Sequence, residues 1–226
     1  MYIVTCDGAL LYDPRVDDLK ISSAKIALEV NKVGGFDFTI HPTHPLYGSI
    51  HKLKSIIEVY QDNVLIFRGR VLNDTMGLYK NKDIVCEGDL AYFNDTIMRP
   101  YDFSGTISDF LQSILTSHNA QVEANKQFTL GNVTVTDPND IITRSSIEYT
   151  KSWEVISDKL VDLLGGYIVL RRGDGVNYID YLADSTSQST QAIELGSNIL
   201  DVIKETRGDE IVTALIPLGA KLKDED

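Results

Sequence analysis

Cysteine is almost missing from this chain: its 226 residues include only Cys6 and Cys86. Two thiols cannot build the disulfide framework that small secreted domains rely on. Both lie in runs that read as strand. Buried free thiols are therefore the preferred reading, with a single bridge between them as the alternative. Cations are also scarce, with 21 Lys and Arg against 33 Asp and Glu for a formal net charge of −12. Such a surface repels phosphate backbones, because affinity for nucleic acid comes largely from Lys and Arg displacing counterions. An ordinary nucleic-acid or anionic-membrane binder is not the expectation. No apolar run is long enough to span a bilayer. The opening Met1-Tyr-Ile-Val-Thr-Cys-Asp7 has no basic region and meets an acid at once, unlike a signal peptide. The expectation is a soluble product made in the cytoplasm.

The signatures of catalysis are missing too. There is no Gly-x-Ser-x-Gly elbow, no phosphate loop and no cysteine with a plausible base beside it. Ser117-His118 is adjacent in sequence, but a triad is defined by spatial roles that adjacency does not supply. His41, His44 and His51 form the most metal-like cluster, yet zinc wants three or four converging ligands and no second pair sits nearby. A polar loop after a strand explains them better. Glu154 and Asp158, four residues apart, fit a solvated helical face. Arg172-Gly173-Asp174 occupies a hairpin tip, where Gly and Asp suit the backbone. Asn73, Asn94 and Asn132 match a glycosylation pattern that has no meaning without secretion. No catalytic residue, metal ligand or cofactor is expected. Phe67-Arg68-Gly69-Arg70, ending a strand, remains as a candidate contact for a second subunit or partner, carried by Phe67, Arg68 and Arg70. An amphipathic strand edge is the plainer account of it.

What is present is an ordinary globular composition, 43% hydrophobic and 24% charged. At this length folding buries roughly 70% of the open chain's surface. Up to about Glu87 the pattern is β. Tyr2–Cys6 and Ala9–Tyr12 flank Asp7-Gly8, a pair that accepts the positive φ of a tight hairpin. Strands are expected at Ile21–Val30, Phe36–Ile40, Ser55–Gln61, Val64–Asn73 and Asp83–Glu87. Ile57, Val59, Val64, Ile66 and Val71 are available for one buried face. Short strands with turn signals between them argue for a barrel or sandwich.

The period then changes. Thr106 and Asp109 form an acidic variant of the capping box, opening a helix to about Ser117 with Ile107, Phe110, Leu111, Ile114 and Leu115 on one face. A second helix carries Trp153, Ile156, Leu160, Leu163 and Leu164, capped by Thr150 or Ser152 and ended by Gly165-Gly166. Tyr167–Arg171 and Val176–Leu182 make a hairpin. Strand signals return at Ala192–Leu195, Asp201–Thr206 and Ile211–Leu218. The expected fold is α+β and β-rich. A β domain spans 1–100, an α+β domain with two helices on a small sheet spans 101–190, and strands over 191–226 begin a further β unit. That last unit is expected to be cut short, or to pair with the first domain.

Five segments, in order, resemble the N-terminal hub region of bacteriophage tail-associated proteins, the prophage tail endopeptidase or baseplate-hub family. They are Asn63-Val-Leu-Ile-Phe-Arg-Gly-Arg-Val71, Val85-Cys-Glu-Gly-Asp-Leu-Ala-Tyr-Phe-Asn-Asp95, Ser152-Trp-Glu-Val-Ile156 and Leu164-Gly-Gly-Tyr-Ile-Val-Leu-Arg171. The fifth is Leu195-Gly-Ser-Asn-Ile-Leu200 leading to Ile211-Val-Thr-Ala-Leu-Ile-Pro-Leu-Gly219. The resemblance implies a baseplate-hub-like fold: a small N-terminal β-barrel, the α+β domain, and the start of a second barrel. It implies a homotrimeric ring adapting the sixfold tail tube to the tip. Its partners would be the distal tail protein, the tape-measure protein and the tail tube, and its place the virion tail tip or baseplate. DNA would pass through the acidic ring without specific binding. Any lytic activity would belong to a C-terminal module beyond these residues. The other two classes considered are a cell-wall hydrolase or peptidase and a receptor- or carbohydrate-binding β module. Against the last, the aromatics are spread along the chain, and Trp153 lies on a helical stripe.

Overall fold

The computed structural model describes residues 1–185, 190–199 and 201–204. It divides at residue 186 into a large unit and a small C-terminal one. The large unit is β-rich α+β. Strands β1 (Tyr2–Cys6), β2 (Ala9–Tyr12), β3 (Ser22–Ala27), β4 (Gly35–Ile40), β5 (Ile56–Gln61), β6 (Val64–Met76) and β7 (Lys82–Gly88) form one sheet. Its order is β2-β1-β5-β6-β7-β4-β3. The turns follow the local chemistry. Asp7 and Gly8 take φ of 50° and 80°, and Asp62 and Asn63 take 49° and 66°. These are the left-handed pairs that a twisted hairpin requires.

The sheet curls into a half-barrel and does not close. Its edges, β2 and β3, have no ladder between them. β2 has only four residues, and β3 carries a bulge where Ser23 turns to φ 52°, so the edges offer no matching rows of donors and acceptors. The expected barrel is therefore a half-barrel here.

The concave core holds Val4, Leu11, Phe36, Phe38, Ile57, Val59, Phe67, Val71 and Ile84, with both cysteines buried as free thiols. Burial pushes the Cys6 thiol up to about 11, with the Asp7 charge adding to the shift; burial raises Cys86 as well. The β5–β6 hairpin departs from simple alternation. A bulge sets Val59 opposite Phe67 and Tyr60 opposite Leu65, leaving Ile66 unpaired. One extra residue moves every later side chain to the other face. Ile66 is consequently only partly buried and Phe67 takes the core position, while Val64, ahead of the bulge and beside the turn, is exposed.

Beyond β7, residues Asp89–Asp95 wind into a 3-10 turn, which the sequence pattern did not reveal. β8 (Ile97–Met98) and β9 (Tyr101–Gly105) come next, and then helix α1 (Ile107–Asn119). Thr106 caps α1 as expected, its Oγ1 accepting the Asp109 N–H at 3.1 Å. The anticipated stripe from Ile107 to Leu115 is buried. β10 (Thr129–Val133), β11 (Ile142–Ser146) and β12 (Thr150–Lys151) lead to the second helix, α2, over 152–164. It is α-helical at Ser152–Ile156, π-helical at Ser157–Val161 and α-helical again at Asp162–Leu164.

The wide middle turn of α2 frees carbonyls, and Arg144 Nε donates to that of Lys159 at 3.0 Å. It also rotates the final turn of the helix, so Leu163 is 59% exposed instead of joining the stripe. Ser152 does not cap α2: it is the first helical residue, and its hydroxyl bonds Thr96. The hairpin β13 (Tyr167–Gly173) and β14 (Val176–Leu182) pairs through β14 with parallel β10. α1, α2 and this small sheet enclose a second core around Phe93, Phe110, Phe128, Ile156 and Tyr181.

In the C-terminal unit the expected strand Ala192–Leu195 is irregular and runs into a turn at Gly196–Asn198, closed by an isolated bridge between Leu195 and Ile199. Asn198 accepts the Glu194 N–H at 2.9 Å and donates to Ala192 O at 2.7 Å, and Gly196 takes φ 82°. Residues 201–204 form no strand either. The rest of Asp201–Thr206 and all of Ile211–Leu218 lie outside the described residues.

Two glycines bring strands together beneath Phe67. A Cβ on Gly69 would lie 2.1 Å from the Glu87 carbonyl oxygen, and one on Gly88 would lie 2.2 Å from that of Val33. Backbone cannot yield cheaply at those distances. Gly69→Ala is expected to cost about 3 kcal/mol of stability in urea unfolding; a loss under about 1 kcal/mol would contradict this packing.

Candidate functional site

On β6 the side chains alternate. Phe67, Gly69 and Val71 face the concave core, while Arg68 and Arg70 face the other way, toward the 3-10 turn. Asp89, the first residue of that turn, has a side chain with 0% exposure. Arg68 Nη1 and Arg172 Nη2 each reach its Oδ2 at 2.5 Å. Arg68 also contacts Glu58 at 3.3 Å. One carboxylate thereby ties the half-barrel to β13. Burial works against the Arg68 charge, but Asp89 more than offsets it, and the pKa of Arg68 is raised.

Arg70 makes a parallel clasp. Its Nε donates to Glu87 at 2.7 Å, its two terminal nitrogens hold Asp95 in a fork, and the guanidinium lies 5.1 Å over the Tyr92 ring. Hydrogen bonding to Asp95 is the largest cause that raises its pKa, with burial opposing. A loop residue adds a third tie: Asn31 Nδ2 donates to Gly166 O at 2.9 Å, and Ile168 N donates to Asn31 Oδ1 at 2.8 Å.

The three residues singled out from the sequence thus sit together on one strand but face two ways. Phe67 is core. Arg68 and Arg70 are engaged with carboxylates of this chain, with side-chain exposures of 24% and 9%. Sequence reasoning missed the residue that organises them. Asp89 stands inside the Glu-Gly-Asp-Leu-Ala-Tyr stretch of the second hub-like segment, and an acid bordering the apolar run Leu90-Ala-Tyr-Phe93 was the available signal. Arg172 belongs to the same cluster. The Arg-Gly-Asp tripeptide ends β13 and opens its hairpin turn, with Asp174 at φ 52°.

Other candidates resolve into structure. His44 is buried, its Nε2 donating to Leu11 O at 2.8 Å and its Nδ1 accepting Leu46 N–H at 3.0 Å. His41 and His51 are exposed, as are Glu154 and Asp158. Among the described residues, no three His, Cys, Asp or Glu group as metal ligands do. No helix among them is long and apolar enough to cross a membrane.

His118 is fully buried against Phe93, its ring centroid 4.5 Å away. Its Nε2 lies 3.1 Å from Lys126 O and must donate. Nδ1 then accepts from the Thr96 hydroxyl at 2.9 Å, and Ser152 donates to Thr96 Oγ1 at 2.8 Å. This Ser–Thr–His chain has the residue types of catalysis but no opening to a substrate. It fastens α1 to α2 and β8.

No family model matches the sequence, and no curated protein matches it. Solved structures do match. A prophage tail protein, gp18 of Listeria monocytogenes EGD-e, superposes with a TM-score of 0.52 at 14% identity over 80% of this chain and 49% of its own. The 43 kDa tail protein of prophage MuSo2 from Shewanella oneidensis gives 0.54 at 14% identity over 88% and 58%. The chain thus spans about half the length of these structures. Its fold is similar to that of prophage tail proteins.

Removing Asp89 leaves the partly exposed Arg68 and Arg172 without the carboxylate they share, Arg68 keeping only Glu58. Asp89→Ala is expected to lose about 2–3 kcal/mol, read from urea unfolding; a change below about 1 kcal/mol would contradict the seam. For His118, burial lowers the pKa below its ordinary 6.5. The unfolded chain therefore binds the proton first as pH falls. Stability is full above about 6.5 and declines below it, toward the folded-state value. The urea midpoint is expected to drop between pH 7 and pH 5, and the drop to shrink in His118→Gln; equal drops in both proteins would assign it elsewhere.

Proposed function

We propose that this chain is a structural component of a long-tailed phage or prophage tail, acting as its baseplate or tail-tip hub. The observation that carries the reading is the likeness of fold to the MuSo2 tail protein over 88% of the chain. The five ordered segments that resemble the hub family support it independently. So does the disposition of the charged residues: those at the best candidate site, including Arg68, Asp89 and Arg172 on the wall of a cleft of about 240 Å³, are paired with one another.

Three copies form a ring that adapts the sixfold tail tube to the tip, with the distal tail protein, the tape-measure protein and the tube as neighbours. The chain transforms no molecule. Its net charge of −12 suits a ring through which DNA passes without sticking. Within the Phe67, Arg68 and Arg70 segment, Arg68 is the arginine a neighbour can reach, while Phe67 and Arg70 hold the surface in shape. Light-scattering mass across a range of concentrations tests the ring. Three times the chain mass of 25.2 kDa is expected; a single-chain mass at every concentration would overturn it.

A further inference from the structure

Two of the apolar features exposed among the described residues bear on self-association. The first is the tip of the β6–β7 hairpin, where Leu78 is 90% and Tyr79 83% exposed, with Met76 beside them. This finger is held in place: the Tyr47 hydroxyl donates to Lys80 O, and Lys82 Nζ sits 4.2 Å over the Tyr47 ring. The second is a cleft of about 360 Å³ in the gap of the half-barrel, lined by Tyr2, Tyr12, Ile21, Ala24, Ile26 and Phe36. Tyr2, Leu10 and Val16 extend exposed apolar surface around it.

We propose that the finger of one copy enters the cleft of a second copy, head to tail. Topology keeps the two apart within a chain. The finger projects from β6 and β7 at the middle of the sheet order, while the cleft lies between its two ends. One copy therefore cannot fill its own cleft, and a contact between unlike surfaces propagates from copy to copy, giving a ring when the rotation between copies closes and a filament when it does not. Charge favours the same pairing. The finger carries exposed Lys80, and the loop joining β2 to β3 at the cleft's rim carries exposed Asp17 and Asp18, of which Asp17 lies 4.0 Å from Lys20, with Arg15 paired to Asp13. On a surface of net charge −12, a cationic tip is the part that another copy can accept. An anchoring Leu and Tyr bury roughly 300 Å², against about 800 Å² per partner in a stable interface. The finger is thus the hot spot of the contact, and the surface around the cleft supplies the rest.

This deepens the ring reading and rests on it for self-association; the experiment separates the two. Leu78→Asp alters a solvent-exposed side chain, so the monomer fold is retained, as circular dichroism will verify. Light scattering is expected to show dissociation roughly 30-fold easier than for the unaltered chain. Ile147→Asp, 91% exposed elsewhere, is expected to leave the mass unchanged. Independently, Leu78→Cys mixed with Ala24→Cys is expected to form an intermolecular disulfide under mild oxidation that neither variant forms alone. The native thiols are buried and do not compete. Self-association that survives Leu78→Asp without cross-linking would overturn the finger while sparing the ring. A monomer throughout would overturn both.

Discussion

A carboxylate sealed from water between two guanidinium groups is the constraint around which this molecule is organised. Transferring one ion of that kind from water to protein costs several kcal/mol even after relaxation, and only close, well-oriented countercharges offset it. Asp89 meets the condition through Oδ2 alone, which Arg68 reaches from the half-barrel and Arg172 from the hairpin β13–β14, while its buried Oδ1 has no hydrogen-bond partner among the described residues. Neither layer can move away without stranding the charge. The Arg70 clasp on Glu87 and Asp95, and the Asn31 bridge to Gly166 and Ile168, fix the same seam at other points. A hydrophobic seam could slide, whereas this one has a single register.

The half-barrel then presents its features at fixed positions. Phe67 lies over Gly69 and Gly88, where the strands approach too closely for any side chain. The open edges and the finger are therefore held by a stiff frame. That suits a part whose work is geometric. The buried chain Ser152–Thr96–His118 packs against Phe93, Phe128 and the Lys126 carbonyl.

Local signals made much of the fold legible. The Asp7-Gly8 and Asp62-Asn63 turns, the Thr106 cap, the α1 stripe and the Gly165-Gly166 stop each arise from two or three neighbouring residues, and each is present. The features that could not be read depend on pairing at a distance. The bulge opposite Val59 exchanged Ile66 for Phe67 in the core, and it is set by the partner strand. The π-helical turn of α2 turned Leu163 outward through a contact with Arg144, which comes from another strand. The candidate site was half legible. Phe67, Arg68 and Arg70 stood out as an unusual strand end, but their partners Asp89 and Arg172 are far away in sequence. Ala192–Leu195 misled because a side chain, Asn198, captured the backbone groups that a strand would have used.

Hydrogen exchange of backbone amides under rising, sub-denaturing urea tests the central claim most directly, because it reads the opening free energy of each layer separately. If the Asp89 seam makes the two layers one structural body, the slowest amides of β6 and β7 and those of α1 and β13 will converge on a single opening free energy. If α1 and β13 open at a markedly lower free energy while the half-barrel stays protected, the layers are independent and the account fails.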